Sequence, residues 1–147
     1  MNDSINLAIL ICIFFIMLTI DIATTKSKCV NSNVTRPEIL KVIIFHHIIG
    51  TFLHFGWIFN DPKILIVYVV FMIGVLIHWF TNDMNCKLVQ IENTICGIEE
   101  NKKLNSLYRL INNEKIANYI YVIVAIILIC IAVGKIIYHY KKIGKYK

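Results

Sequence analysis

Several kinds of chemistry are missing from this 147-residue chain. It contains no Gly-x-Ser-x-Gly nucleophile elbow, no phosphate-binding glycine loop and no paired catalytic carboxylates. Its histidines and cysteines fall in neither His-Glu-x-x-His nor Cys-x-x-Cys spacing, which removes the common zinc signatures. Arginine is nearly absent, with Arg36 and Arg109 alone among the basic residues that are otherwise lysine. There is no internal repeat and no low-complexity segment. The excess of Ile, Asn and Lys reads as the mark of an AT-rich genome and carries no mechanism.

What is present is oil. Hydrophobic residues make up 58% of the chain and the mean hydropathy is +0.69, against roughly 45–50% apolar content in soluble domains. Four apolar stretches run over residues 5–22, 39–59, 64–80 and 117–137. A helix rises about 1.5 Å per residue, so about 20 apolar residues match a hydrocarbon core of about 30 Å. The expected fold class is therefore all-α: a four-helix transmembrane bundle in one membrane domain, with a loop at 81–116 and a basic tail at 138–147.

The first stretch could instead be a cleaved signal peptide. Asp3 lies ahead of it, while Lys26 and Lys28 follow it, the reverse of a signal peptide's charge order. It is expected to stay as a span. Most of the net charge of +6 comes from the tail, where Lys141, Lys142, Lys145 and Lys147 meet no acid. So close to a span, these lysines suit anionic lipid headgroups, at about 1 kcal/mol each. The expected partners are the bilayer, a second copy or another membrane protein, and not nucleic acid.

With four spans, both termini and the turn at residues 60–63 share one side. Lys63, Lys135 and the four tail lysines stand there against Lys26, Lys28, Arg36, Lys87, Lys102, Lys103, Arg109 and Lys115 opposite. That tally leaves the positive-inside rule undecided. The sequon Asn33-Val34-Thr35 favours glycosylation of a lumenal first loop and so cytoplasmic termini.

Asn60-Asp61-Pro62-Lys63 is turn chemistry, and so short a link makes spans two and three an antiparallel hairpin. Gly50 and Gly74 lie equidistant from that turn, so the expectation is close backbone packing between them. Trp57 and Trp79 fall at opposite ends, where indoles favour the lipid–water boundary. In the third loop, Leu88, Ile91, Ile95 and Ile98, then Leu104, Leu107, Tyr108 and Ile111, repeat at helical spacing. They predict an amphipathic segment at the membrane surface.

The candidate site is a level of ionisable groups toward the loop end. His46 and His47 lie early in span two, His78 late in span three, and Asp21 near the end of span one. Ionisable groups within a span are costly and mark a candidate site. Asp21 paired with His46 or His47, beside His78, could relay protons, sense pH or hold a metal, with Asp83 or Cys86 as a further ligand. For a metal, His47, His78 and Cys86 are the candidates. The plain alternative is that these groups reach water and do nothing. A bis-histidine haem between His47 and His78 is geometrically allowed, but His54 finds no second partner, and no cofactor is expected.

Cys12 and Cys130 sit inside spans as small apolar side chains. Cys29, Cys86 and Cys96 lie in the loops and are expected as free thiols. A helix between Cys86 and Cys96 would hold them about 15 Å apart, too far to bridge, so any disulfide would join Cys29 to one of them. Glu99-Glu100 is a solvated charge pair.

From His46 to Asn93 the order of features resembles a family of small bacterial multi-span membrane proteins of unknown function. That family has a His-containing span with a Phe-x-Gly-like element and a second span running into a Cys-Pro-Leu-Thr…Glu-Asn signature. Here Phe55-Gly56 and Cys86-Lys87-Leu88-Val89-Gln90-Ile91-Glu92-Asn93 stand in those places, with Lys87 and Val89 where Pro and Thr belong. In composition the chain is also similar to small multi-span proteins of large DNA viruses. The resemblance implies the architecture and a shared site around His78, Cys86 and Glu92. It implies no reaction. The expected role is a non-enzymatic structural or interaction component, with an Asp/His proton, ion or metal conduit or sensor as the alternative and a haem redox protein as the third.

Overall fold

The computed structural model describes residues 3–28, 37–97 and 114–144, which form five α-helices, one 3-10 turn and no strand. The helices are α1 (Asp3–Lys28), α2 (Pro37–Phe55), α3 (Pro62–Thr81), α4 (Lys87–Ile95) and α5 (Glu114–Gly144), with the 3-10 turn at Gly56–Ile58. Four of them are long and apolar enough to cross a membrane, over Asp3–Ala23, Pro37–Ile58, Pro62–Thr81 and Ile116–Lys142. The chain thus has the build of a multi-pass integral membrane protein.

Side-chain exposure follows from that solvent. Phe15, Val70 and Ile123 are 58%, 65% and 56% exposed, and large apolar side chains face outward along every span. In water such continuous surfaces would drive aggregation. In hydrocarbon they are ordinary solvent contacts, and helical hydrogen bonding satisfies the backbone within each span.

Two helix pairs carry the packing: α1 against α2, and α3 against α5. Between α3 and α5, Leu65, Tyr68 and Met72 bury against Ala125 and Ala132, with Phe52, Trp57 and Leu128 closing around them. The alanines matter because short side chains let helix backbones approach where hydrophobicity alone gives no drive. Between α1, α2 and the third loop, Ile39, Ile43 and Cys96 form a second cluster with Leu18, Ile22 and Ile95 around it.

The hairpin packs differently from expectation. α2 and α3 touch little, and a Cβ built on Gly50 or Gly74 would meet nothing within 4 Å. These two glycines are therefore not packing contacts; α3 turns its small-residue partnership to Ala125 and Ala132 instead. The close approach falls at Gly56, where a Cβ would lie 2.5 Å from Cδ2 of Tyr68. The Tyr68 hydroxyl donates to the Leu53 carbonyl at 2.9 Å and its ring meets Phe52 edge-on, so it cannot easily retreat.

The turn between α2 and α3 follows its expected chemistry. The Asp61 carboxylate accepts from the Lys63 backbone N–H at 2.8 Å, with Pro62 in the first turn. Beyond α3, Asn82–Asn85 turns the chain, and Asp83 and Met84 adopt φ of 47° and 61°. The Met84 N–H bonds the Trp79 carbonyl at 2.8 Å and the Asn82 amide bonds the Asn85 carbonyl at 2.8 Å. This tight turn delivers the chain into α4, which packs across α2. In α4, Leu88 and Ile95 are half-buried and Ile91 is exposed, while Asn93 and Cys96 face inward. Ile98 and the second apolar repeat, Leu104 to Ile111, lie outside the described residues, as does the Asn33 sequon.

Candidate functional site

Asp21 and His47 meet where α1 packs on α2. The Nε2 of His47 lies 3.0 Å from Oδ2 of Asp21, and the two side chains are 15% and 27% exposed. With a protonated ring the contact is an ion pair. With a neutral ring whose proton sits on Nε2 it is a hydrogen bond donated to the carboxylate. Helix geometry explains the meeting: Ile39 and Ile43 already bury on this face of α2, and His47 lies one turn beyond Ile43. Leu18 and Ile22 flank Asp21 on the facing side.

His46 stacks beside His47, with ring centroids 5.9 Å apart and planes 25° from parallel. Its Nδ1 is buried without a hydrogen-bond partner among the described residues, as is Oδ1 of Asn93 on α4. Asn93 is 5% exposed. The loop-side half of α2 thus holds one matched Asp–His pair, a second imidazole and, on the helix that crosses it, a buried amide.

The other expected members do not join. His78 is exposed on α3 and makes no side-chain hydrogen bond, ion pair or ring contact among the described residues. Asp83 is exposed in the turn after α3. Cys86 is a free thiol at the N-terminal edge of α4 and makes no capping bond there. The described residues bring together no group of three or more His, Cys, Asp or Glu able to hold a metal ion. Because α2 and α3 touch little, equal depth along the hairpin does not become contact for His78. His54 donates from Nδ1 to the Gly50 carbonyl at 2.7 Å, a local bond within its own helix.

A second polar assembly lies at the opposite end and escaped the sequence reading. The Asp3 carboxylate accepts from the backbone N–H of Asn60 at 2.9 Å and of Asp61 at 3.1 Å. The buried Asn6 amide donates to the Ile58 carbonyl at 3.0 Å and to Asp3 at 3.3 Å. From α5, the Lys135 ammonium donates to the carbonyls of Trp57 at 3.0 Å, Ile58 at 3.4 Å and Phe59 at 3.1 Å. It also sits 5.8 Å from the centre of the Trp57 ring. The chemistry is complementary: the 3-10 turn that follows α2 presents carbonyls that draw a cation, whereas Asn60 and Asp61, just ahead of α3, offer N–H groups that draw an anion. One lysine and one aspartate from the two outer helices meet both needs.

No family model matches this chain, and neither does any curated protein or solved structure compared with it. The chemistry of these two assemblies is therefore what bears on function.

The cysteines divide unexpectedly. Cys12, Cys86 and Cys130 are free, but Cys96 is disulfide-bonded. That corrects the free thiol expected at Cys96; Cys29 lies outside the described residues. The helical period of residues 87–95 excludes a Cys86–Cys96 bond, but nothing in the sequence marks Cys96 as oxidised.

Proposed function

We propose that this chain is a non-enzymatic structural or interaction component of a membrane. One observation carries the reading: the charged groups at helix contacts, Asp3, Asp21 and Lys135, are each engaged by a neighbouring helix or by the α2–α3 turn. Charges held this way fix helix order and register. Among the described residues these charges are spent on helix contacts, which suits a structural role. The bilayer is the solvent, the lysines of the tail meet anionic headgroups, and the partner is a second copy or another membrane protein.

A second reading, a proton conduit or sensor, is favoured by the Asp21–His47 pair and the neighbouring His46. Acid and imidazole at 3.0 Å can exchange a proton. Proton flux into liposomes holding the purified chain separates the two. The structural reading expects the leak of empty liposomes for the wild type, for Asp21→Asn and for His78→Leu. Flux above that leak, lost on Asp21→Asn, would establish the conduit instead.

A further inference from the structure

Cys96 lies at the C-terminal end of α4, buried against Ile39 and Ile43 of α2, and is disulfide-bonded. Its partner can be found by elimination. The chain has five cysteines, and Cys12, Cys86 and Cys130 are free. Cys86 is excluded on geometry as well, because α4 stands between it and Cys96. One cysteine of the chain is left, Cys29, in the segment that joins α1 to α2.

We propose that Cys29 and Cys96 are joined within one chain, and that the membrane face carrying α4 lies in an oxidising compartment, with both termini in the reducing one. Bond formation takes two thiols to one disulfide. Two electrons and two protons pass to a thiol oxidoreductase of that compartment, which enters as its disulfide and leaves as its dithiol. The link closes a loop through the first connection, α2, α3 and α4, so α4 is tied down over the end of the bundle that holds Asp21 and His47. It also supplies the asymmetry that charge does not: the lysines on the two faces nearly balance, whereas a persistent disulfide belongs on one side only. The two free thiols within the spans, Cys12 and Cys130, are exposed on the outward faces, where they meet lipid and need no oxidant or reductant. This orientation turns the lysines of the tail toward the leaflet rich in anionic lipid.

The test is a thiol count in native membranes. Free thiols are blocked with N-ethylmaleimide, the protein is denatured and reduced, and newly released thiols are tagged with polyethylene-glycol maleimide. The wild type and Cys86→Ser gain two tags, at monomer mass on a non-reducing gel. Cys29→Ser and Cys96→Ser gain none. In sealed vesicles of known orientation, a membrane-impermeant phosphine followed by an impermeant maleimide labels Cys96 only when the face opposite the tail is outward. Wild-type protein that gains no tag, tags that survive Cys29→Ser, a bond that appears only between two chains, or reduction from the tail's side would each overturn the proposal. The wild-type count and the vesicle orientation need no substitution, so a variant that fails to fold does not obscure the result.

Discussion

The ammonium of Lys135 lies 3.0 Å from the carbonyl oxygen of Trp57, seventy-eight residues away in sequence, and shares itself with the carbonyls of Ile58 and Phe59. A lysine near the end of an apolar span commonly extends toward headgroups. This one turns inward and closes the exposed end of another helix, so α5 is fixed at its depth against α3.

Replacing Lys135 with Met keeps the length of the side chain and removes the donor. Three carbonyls then lose a charge-assisted partner, each such bond being worth about 1.5–3 kcal/mol before water or headgroups compensate. The group is partly exposed, so the expected net loss is about 1–3 kcal/mol in reversible unfolding from mixed micelles. Arg at the same position should recover part of it.

Glycine scanning separates true close contacts from open faces. Gly56→Ala drives a methyl into the pinned Tyr68 ring and should cost about 1–3 kcal/mol, as overpacking does. Gly50→Ala and Gly74→Ala meet open space and should be neutral, or stabilising by up to about 1 kcal/mol from helix propensity. A melting-temperature series on the three variants checks the order. A large loss at Gly50 or Gly74 would restore the tight hairpin that the sequence suggested.

Asp21→Asn and His47→Ala should be non-additive. The side chains are in direct contact, so a double-mutant cycle on unfolding should give a coupling of about 0.5–2 kcal/mol, modest because both retain some exposure. The same cycle between Asp21 and His78 should give a coupling near zero. Coupling at His78 as large as at His47 would mean that the level closes into one cluster after all.

Tyr68→Phe removes a single hydroxyl that donates to the Leu53 carbonyl at 2.9 Å. The loss should be about 1 kcal/mol, a typical net hydrogen bond, without change in helix content by circular dichroism.

The four spans were legible because hydropathy is summed over twenty residues, and a bilayer makes that sum decisive. Their ends were not. Hydropathy stops at the hydrocarbon boundary, whereas backbone hydrogen bonding carries α1 on to Lys28 and α5 on to Gly144. Asp21 with His47 was legible as a partnership because both are polar groups at the same depth on consecutive, antiparallel spans. The exclusion of His78 was not, since depth says nothing about which helix faces which. The small residues Ala117, Ala125 and Ala132, spaced so as to recur on one face of α5, held that information; all three are buried. Lys135 and Asp3 were missed for a different reason. Each reads in sequence as a charge at a span's edge, and only the fold reveals the unsatisfied helix ends that it answers.

The central claim is that hydrocarbon, not water, surrounds the outward faces of the four helices. Single nitroxide labels at Phe15, Val70 and Ile123, all outward-facing, measure it directly in lipid nanodiscs through collision with dissolved oxygen and with a water-soluble nickel chelate. The account predicts high oxygen and very low nickel accessibility at all three sites, with the reverse at Asp83 in the turn after α3. Nickel accessibility at Val70 equal to that at Asp83 would contradict it.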